Sequence, residues 1–154
     1  MNIILTAINA KYIHSNLAVY SLKAFVPRYE EEISIREYTI NQPLDDILMD
    51  LYEAGPDVVC FSCYLWNIQY VEQIITELPK ILPDTEIWLG GPEVSYDAPA
   101  MLGRYPMVSG IMCGEGEETF RELAEYFHEE GKELRGIRGI VFRDRDGTVV
   151  RNES

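Results

Sequence analysis

The sequence predicts an α/β fold: a doubly wound parallel sheet with helices on both faces. Three observations predict it. β-rich runs and runs of helical period alternate almost from end to end. Val58-Val59-Cys60-Phe61-Ser62 is apolar without alternation, as a strand covered on both faces must be. The length, 154 residues, is that of one domain.

Residues 2–8 form the first β-rich run. Leu17, Ala18, Ser21, Leu22 and Phe25 then recur at helical spacing, and Pro27 stops them. Residues 33–38 alternate like a half-covered strand. Pro43 opens a helix whose stripe is Leu44, Ile47, Leu48, Leu51 and Tyr52, and Gly55-Pro56-Asp57 breaks it. After the strand at 58–62, Ile68, Val71, Ile74, Ile75 and Leu78 mark a helix expected to end near Pro79. Residues 85–89 are the fourth strand, closed by Gly90-Gly91-Pro92. Ala98, Met101, Leu102 and Tyr105 suggest a weak helix, and residues 108–112 a fifth strand. Phe120, Leu123, Ala124 and Phe127 form the last helix, ended by Gly131. Five such units predict a flavodoxin-like five-stranded sheet of order 2-1-3-4-5. Residues 139–142 and 148–150 around Asp146-Gly147 read as a C-terminal β-hairpin. The expected division is an α/β domain over 1–135 and the hairpin over 136–154.

Composition narrows the function classes. Apolar residues make up 47% and charged residues 25%, enough to build a core. The formal charge of −13 argues against nucleic acid and anionic membrane as partners, since both call for clustered cations. No apolar run approaches a membrane span, no basic segment opens the chain as a signal peptide would, and three cysteines make no disulfide framework. A cytoplasmic protein is the simplest reading.

In a doubly wound sheet, ligands bind beyond the carboxyl ends of the strands. Four loops lie there: residues 9–16, 62–67, 90–96 and 113–118. All mix small or polar residues with aromatics, whereas the opposite loops are Pro-rich or charged. Asn9 and Ser62 stand where a phosphate-accepting receiver domain needs acids, and no P-loop or flavodoxin phosphate loop is present. Gly114-Glu115-Gly116 begins like a dinucleotide fingerprint, but Thr119 replaces its third glycine and three glutamates would repel a pyrophosphate. Glu117 and Glu118 instead suit a helix N-terminus. Cys60 and Cys63, three apart on a strand, face opposite ways and make a poor metal pair. Of the two histidines, His128 reads as a solvated surface residue and His14 lies in the first loop. No catalytic set assembles, and no metal site is expected from the chain's own ligands.

Taken together, Asn9-Ala10-Lys11-Tyr12-Ile13-His14-Ser15-Asn16-Leu17-Ala18, Ser62-Cys63-Tyr64-Leu65-Trp66-Asn67, Gly90-Gly91-Pro92-Glu93 and Gly114-Glu115-Gly116-Glu117-Glu118-Thr119-Phe120 resemble the N-terminal domain of cobalamin-binding radical S-adenosylmethionine proteins. This is the group often described as anaerobic magnesium-protoporphyrin IX monomethyl ester cyclase-like. The resemblance implies a cobalamin (B12)-binding domain with the corrin against the carboxyl-end loops and the nucleotide tail between sheet and helices. It implies cofactor contacts from Asn9, Ala10, Lys11, Tyr12, His14 and Ser15; from Ser62, Tyr64, Leu65 and Trp66; from Gly90, Gly91, Pro92 and Glu93; and from Gly114, Glu115, Gly116 and Glu117. Ser62 corresponds to the serine that contacts the tail, and Gly90 and Gly91 to the glycines that let it pass.

The chain departs from the pattern twice. The Asp-x-His-x-x-Gly cobalt-ligand motif is absent, with Tyr12 and Leu17 at its Asp and Gly places, so His14 is not the standard lower ligand. No Cys-x3-Cys-x2-Cys triplet occurs, so the resemblance assigns S-adenosylmethionine and the [4Fe-4S] cluster to a C-terminal radical domain outside this sequence. The expectation is a piece of such an enzyme or a free-standing binding domain. The alternatives are a cofactor-free docking or substrate-presenting domain and a corrinoid carrier for methyl transfer.

Overall fold

Continuous apolar runs build the central strands, buried on both faces, and the stripes of period 3.6 build the helices that cover them. The computed structural model describes residues 1–10, 17–114 and 116–154. In chain order these form β1 (Ile3–Asn9), α1 (Leu17–Ala24), 3₁₀ turns over Pro27–Glu32, β2 (Ile33–Thr39) and α2 (Leu44–Ala54). Next come β3 (Val58–Ser62), α3 (Ile68–Ile81), β4 (Glu86–Gly90), α4 (Pro92–Ser95), α5 (Ala98–Arg104) and β5 (Gly110–Met112). The chain ends with α6 (Glu117–His128), a 3₁₀ turn over Leu134–Gly136, β6 (Ile140–Arg143) and β7 (Val149–Arg151).

The order β2-β1-β3-β4-β5 is parallel and flavodoxin-like, as the sequence predicts. The sheet has seven strands rather than five, because the hairpin does not stand apart. β6 pairs antiparallel with β5, and β7 with β6. β5 would otherwise leave a row of unpaired backbone groups at the sheet edge, and the hairpin satisfies them. The reversal spans residues 144–148 rather than a two-residue turn, with Asp144 N–H donating to the Thr148 carbonyl and Gly147 at φ +88°.

Strand alternation splits the core into two. Ile4, Ile8, Val59, Phe61, Ile87, Leu89 and Ile111 face α2, α3, α4 and α5. Ile3, Leu5, Ala7, Cys60, Trp88 and Met112 face α1 and α6. Each such aliphatic side chain, fully buried, contributes about 1.5–3 kcal/mol. Cys60 and Cys63 do fall on opposite faces.

Three local expectations differ from the structure. On α1 the buried side chain is Val19, while Leu17 and Phe25 are exposed; Leu22 and Val26 complete the inner stripe. The two stripes lie side by side, and only packing against the sheet selects between them. α3 runs past Pro79 to Ile81, since a proline in the last turn forfeits one hydrogen bond without displacing the helix. His128 is not solvated: its ring stacks on Tyr29 at 4.0 Å and its Nδ1 lies 2.7 Å from the Ala124 carbonyl. Tyr29 also donates to Glu129, so the 3₁₀ turns are pinned to the end of α6.

Candidate functional site

The sheet register orders the carboxyl-end residues by depth. Ala7, Ser62 and Gly90 lie in one row, and Gly90 is paired with Met112 on β5. Two residues back, about 7 Å deeper, Leu5, Cys60 and Trp88 form the next row on the same face. α1 and α6 flank this face, and between them a slot of about 170 Å³ opens toward the loops. Leu5 and Cys60 form its floor, and Ser62, Gly90 and Met112 its middle. Val19 and Leu22 of α1 wall it, and Tyr64, Gly91, Pro92, Gly114, Gly116 and Glu117 surround its mouth.

The glycines here have different reasons to be glycine. Gly91 has φ +103°, and an added Cβ would sit 2.3 Å from the Cys63 carbonyl oxygen and 2.9 Å from its nitrogen. That glycine is demanded by the crossing of two backbones, tied by Cys63 N–H donating to the Gly90 carbonyl at 2.7 Å. Gly90 has no such demand: its added Cβ would meet Met112 at 3.7 Å, an ordinary contact. Space, rather than backbone conformation, is what Gly90 preserves, and a group passing from the loops to the floor fits that space.

Asn67 builds the loop between β3 and α3. Wholly buried, it donates to the Ile8 and Ser62 carbonyls, each at 3.0 Å, and accepts from Tyr64 N–H at 2.8 Å. It joins the ends of β1 and β3 to the start of α3. The sequence reading placed Asn67 in a ligand loop without giving it a role, and nothing in the local pattern reveals the two distant carbonyls it serves.

At the mouth, Glu117 and Glu118 occupy the first turn of α6, as their charge suits. Ser21 of α1 donates to Glu117 at 3.0 Å, spanning the two helices, and Glu118 pairs with Arg121. Burial pushes the Cys60 thiol up to about 12, helped by the charge of Glu86. Burial also pushes Cys63 up to about 12 against the lowering effect of its backbone bond at Gly90. Both thiols therefore stay protonated at neutral pH. Among the described residues no group of three or more His, Cys, Asp or Glu side chains could hold a metal ion.

Of the residues singled out from sequence, Ser62, Tyr64, Gly90, Gly91, Pro92, Gly114, Gly116 and Glu117 come together at the slot. Asn9 ends β1 but donates to Glu37 at 3.1 Å, beside Tyr20, which donates to the same carboxylate. Ala10 follows it, exposed. Leu65 and Trp66 project at the rim, where Trp66 stacks on Tyr64 with ring centroids 4.5 Å apart, and Tyr96 is 90% exposed. Glu93 sits on α4, exposed. Lys11, Tyr12, His14, Ser15 and Glu115 lie outside the described residues. Sequence reasoning missed the walls and floor: Leu5, Val19, Leu22, Cys60 and Met112 read as ordinary core. The only signal was that the row beyond Leu5 and Cys60 ends in Ala7, Ser62 and Gly90, all small.

The family described as the B12 binding domain matches residues 3–124. The cobalamin-dependent radical SAM methyltransferase TokK of Streptomyces tokunonensis is 28% identical over 95 residues, which are 62% of this chain and 14% of that protein. The anaerobic magnesium-protoporphyrin IX monomethyl ester cyclase of Cereibacter sphaeroides is 26% identical over 101 residues, 64% of this chain and 16% of that protein. A solved structure of the cobalamin-dependent S-adenosylmethionine radical enzyme OxsB, with aqua-cobalamin and S-adenosylmethionine bound, superposes with a TM-score of 0.78 at 21% identity. It covers 98% of this chain and 22% of that one, so the chain spans less than a quarter of each of these relatives.

Proposed function

The chain belongs to the B12 binding domain family, and on that premise we propose that the slot between α1 and α6 takes the nucleotide tail of cobalamin while the corrin ring rests on the carboxyl-end loops. The observation that carries this reading is the open row of Ser62 and Gly90 above the floor, where no side chain of the described residues fills the slot. Ser62 brings a hydroxyl to the tail, and Gly90 and Gly114 let backbone approach it. Gly91 holds the β3 and β4 loops in register, and Asn67 fixes the loop that carries Tyr64. The family resemblance extends the proposed cofactor contacts to Asn9, Ala10, Leu65, Trp66, Pro92, Glu93, Gly116 and Glu117 at the carboxyl end, and to Lys11, Tyr12, His14, Ser15 and Glu115, which lie outside the described residues.

When bound, the corrinoid's cobalt supplies a methyl carrier or a centre that tunes radical chemistry. This chain's own residues bind, orient and shield it. The reaction itself belongs to a C-terminal radical domain that carries S-adenosylmethionine and a [4Fe-4S] cluster, with residues 136–154 leading toward it, in a cytoplasmic enzyme. The exposed rim of Leu65, Trp66 and Tyr96 suits a face that such a domain covers. No helix among the described residues is long and apolar enough to cross a membrane.

The test is direct. The chain is mixed with hydroxocobalamin and desalted, and the visible spectrum is recorded. Corrin absorbance equivalent to the protein is expected. Its absence would reassign the chain as a docking or substrate-presenting domain.

A further inference from the structure

We infer that this slot selects among corrinoids by their lower base, accepting a flat, nearly apolar bicyclic base such as 5,6-dimethylbenzimidazole and discriminating against a purine. The inference rests on reading the slot as the tail site. Its ground is the chemistry of the floor. From the loop level at Gly91 to the row of Leu5 and Cys60 is about 10 Å along the strands, so the far end of a nucleotide reaches that row.

Leu5 and Cys60 of the floor belong to one buried core cluster with Val19 of the wall and Met112 one row nearer the mouth, and Leu22 packs against it. The strand backbone beneath is committed to the sheet ladder. The Ser62 hydroxyl sits one row nearer the mouth, and Glu117 sits at the mouth itself. Among the described residues that line the slot, the only polar side-chain hydrogen at floor level is that of the Cys60 thiol, a weak donor kept protonated by burial.

A dimethylbenzimidazole brings one free ring nitrogen to this floor. An adenine brings an exocyclic amine and further ring nitrogens, and the amine would lose water without gaining a proper acceptor. An unsatisfied buried donor of that kind weakens binding by about tenfold to a hundredfold.

The test is equilibrium dialysis of the chain, read by corrin absorbance, against three probes: cobalamin, its adenine-based analogue and cobinamide, which lacks the nucleotide. Cobalamin is expected to bind at least about tenfold more tightly than the adenine analogue, with cobinamide weak. Equal affinity for the adenine analogue, with cobinamide still weak, overturns the base selectivity and leaves the tail site standing. Cobinamide binding as well as cobalamin overturns the tail site and the selectivity with it, and so does failure of all three to bind. A second measurement places an oxygen at the floor. In Cys60→Ser the preference for cobalamin over the adenine analogue should fall severalfold; an unchanged ratio in the folded variant removes the floor as what reads the base.

Discussion

Gly91 and Gly90 are neighbours in sequence, yet alanine should act on them in opposite ways. At Gly91 the backbone sits at φ +103°, ψ 169°, a region all but reserved for glycine, and holding an L-residue there costs about 1–3 kcal/mol. The new Cβ also falls 2.3 Å from the Cys63 carbonyl oxygen and 2.9 Å from its nitrogen. Both are backbone atoms, so the β3 and β4 loops must separate. That opens the 2.7 Å bond from Cys63 N–H to the Gly90 carbonyl, worth about 1 kcal/mol. Gly91→Ala should therefore destabilise the chain by about 3 kcal/mol and lower Tm by about 6–12 °C. At Gly90 the nearest atom is 3.7 Å from the added methyl, and alanine in a strand is favoured over glycine by about 0.5–1 kcal/mol. Gly90→Ala should leave stability unchanged or slightly raised while narrowing the slot and weakening corrinoid retention. Urea unfolding followed by circular dichroism, with m-values compared, measures the first effect; dialysis against hydroxocobalamin measures the second. A Gly91→Ala chain within about 0.5 kcal/mol of the parent would refute the backbone-crossing argument.

Four further outcomes follow from the same geometry. Asn67→Ala removes two donors and one acceptor from a wholly buried corner and should cost about 2–4 kcal/mol; a change below about 1 kcal/mol in urea unfolding would mean that water replaces the amide. Gly110→Ala puts a methyl 2.3 Å from the buried Trp88 ring and should cost about 1–3 kcal/mol by overpacking, read as a drop in Tm that Trp88→Phe partly restores in the double variant. The thiols of Cys60 and Cys63 titrate at about 12 in the fold and near the ordinary ~8.5 when unfolded. The folded state then keeps protons that the unfolded state sheds, so stability is whole below about pH 8.5 and falls as pH rises toward 12. Denaturant midpoints that rise between pH 8 and pH 10 would contradict that sign. In the native chain a thiol reagent should modify the half-buried Cys113 well before either of the other two.

The sequence by itself determined the parallel order of the first five strands and the covered character of β3, and it directed the search for a ligand to the carboxyl end of the sheet. Each of these follows from periodicity and chain connectivity, which are local or nearly so. It also determined the loops that carry the family resemblance. Only the tertiary structure decided what those loops enclose. Periodicity draws one stripe through Leu17, Ala18, Ser21, Leu22 and Phe25, but the docking of α1 over Leu5 and Cys60 turns Val19 and Leu22 inward and leaves Leu17 and Phe25 exposed. The slot exists because α1 and α6 sit over a row that ends in Ser62 and Gly90, a coincidence of three strands and two helices that no single segment encodes. The hairpin's place in the sheet was likewise decided by a distant partner, the free edge of β5. Hydrophobic pattern tells each segment to be buried and at what period; which neighbour buries it, and what space is left between them, is settled only when all the layers pack at once.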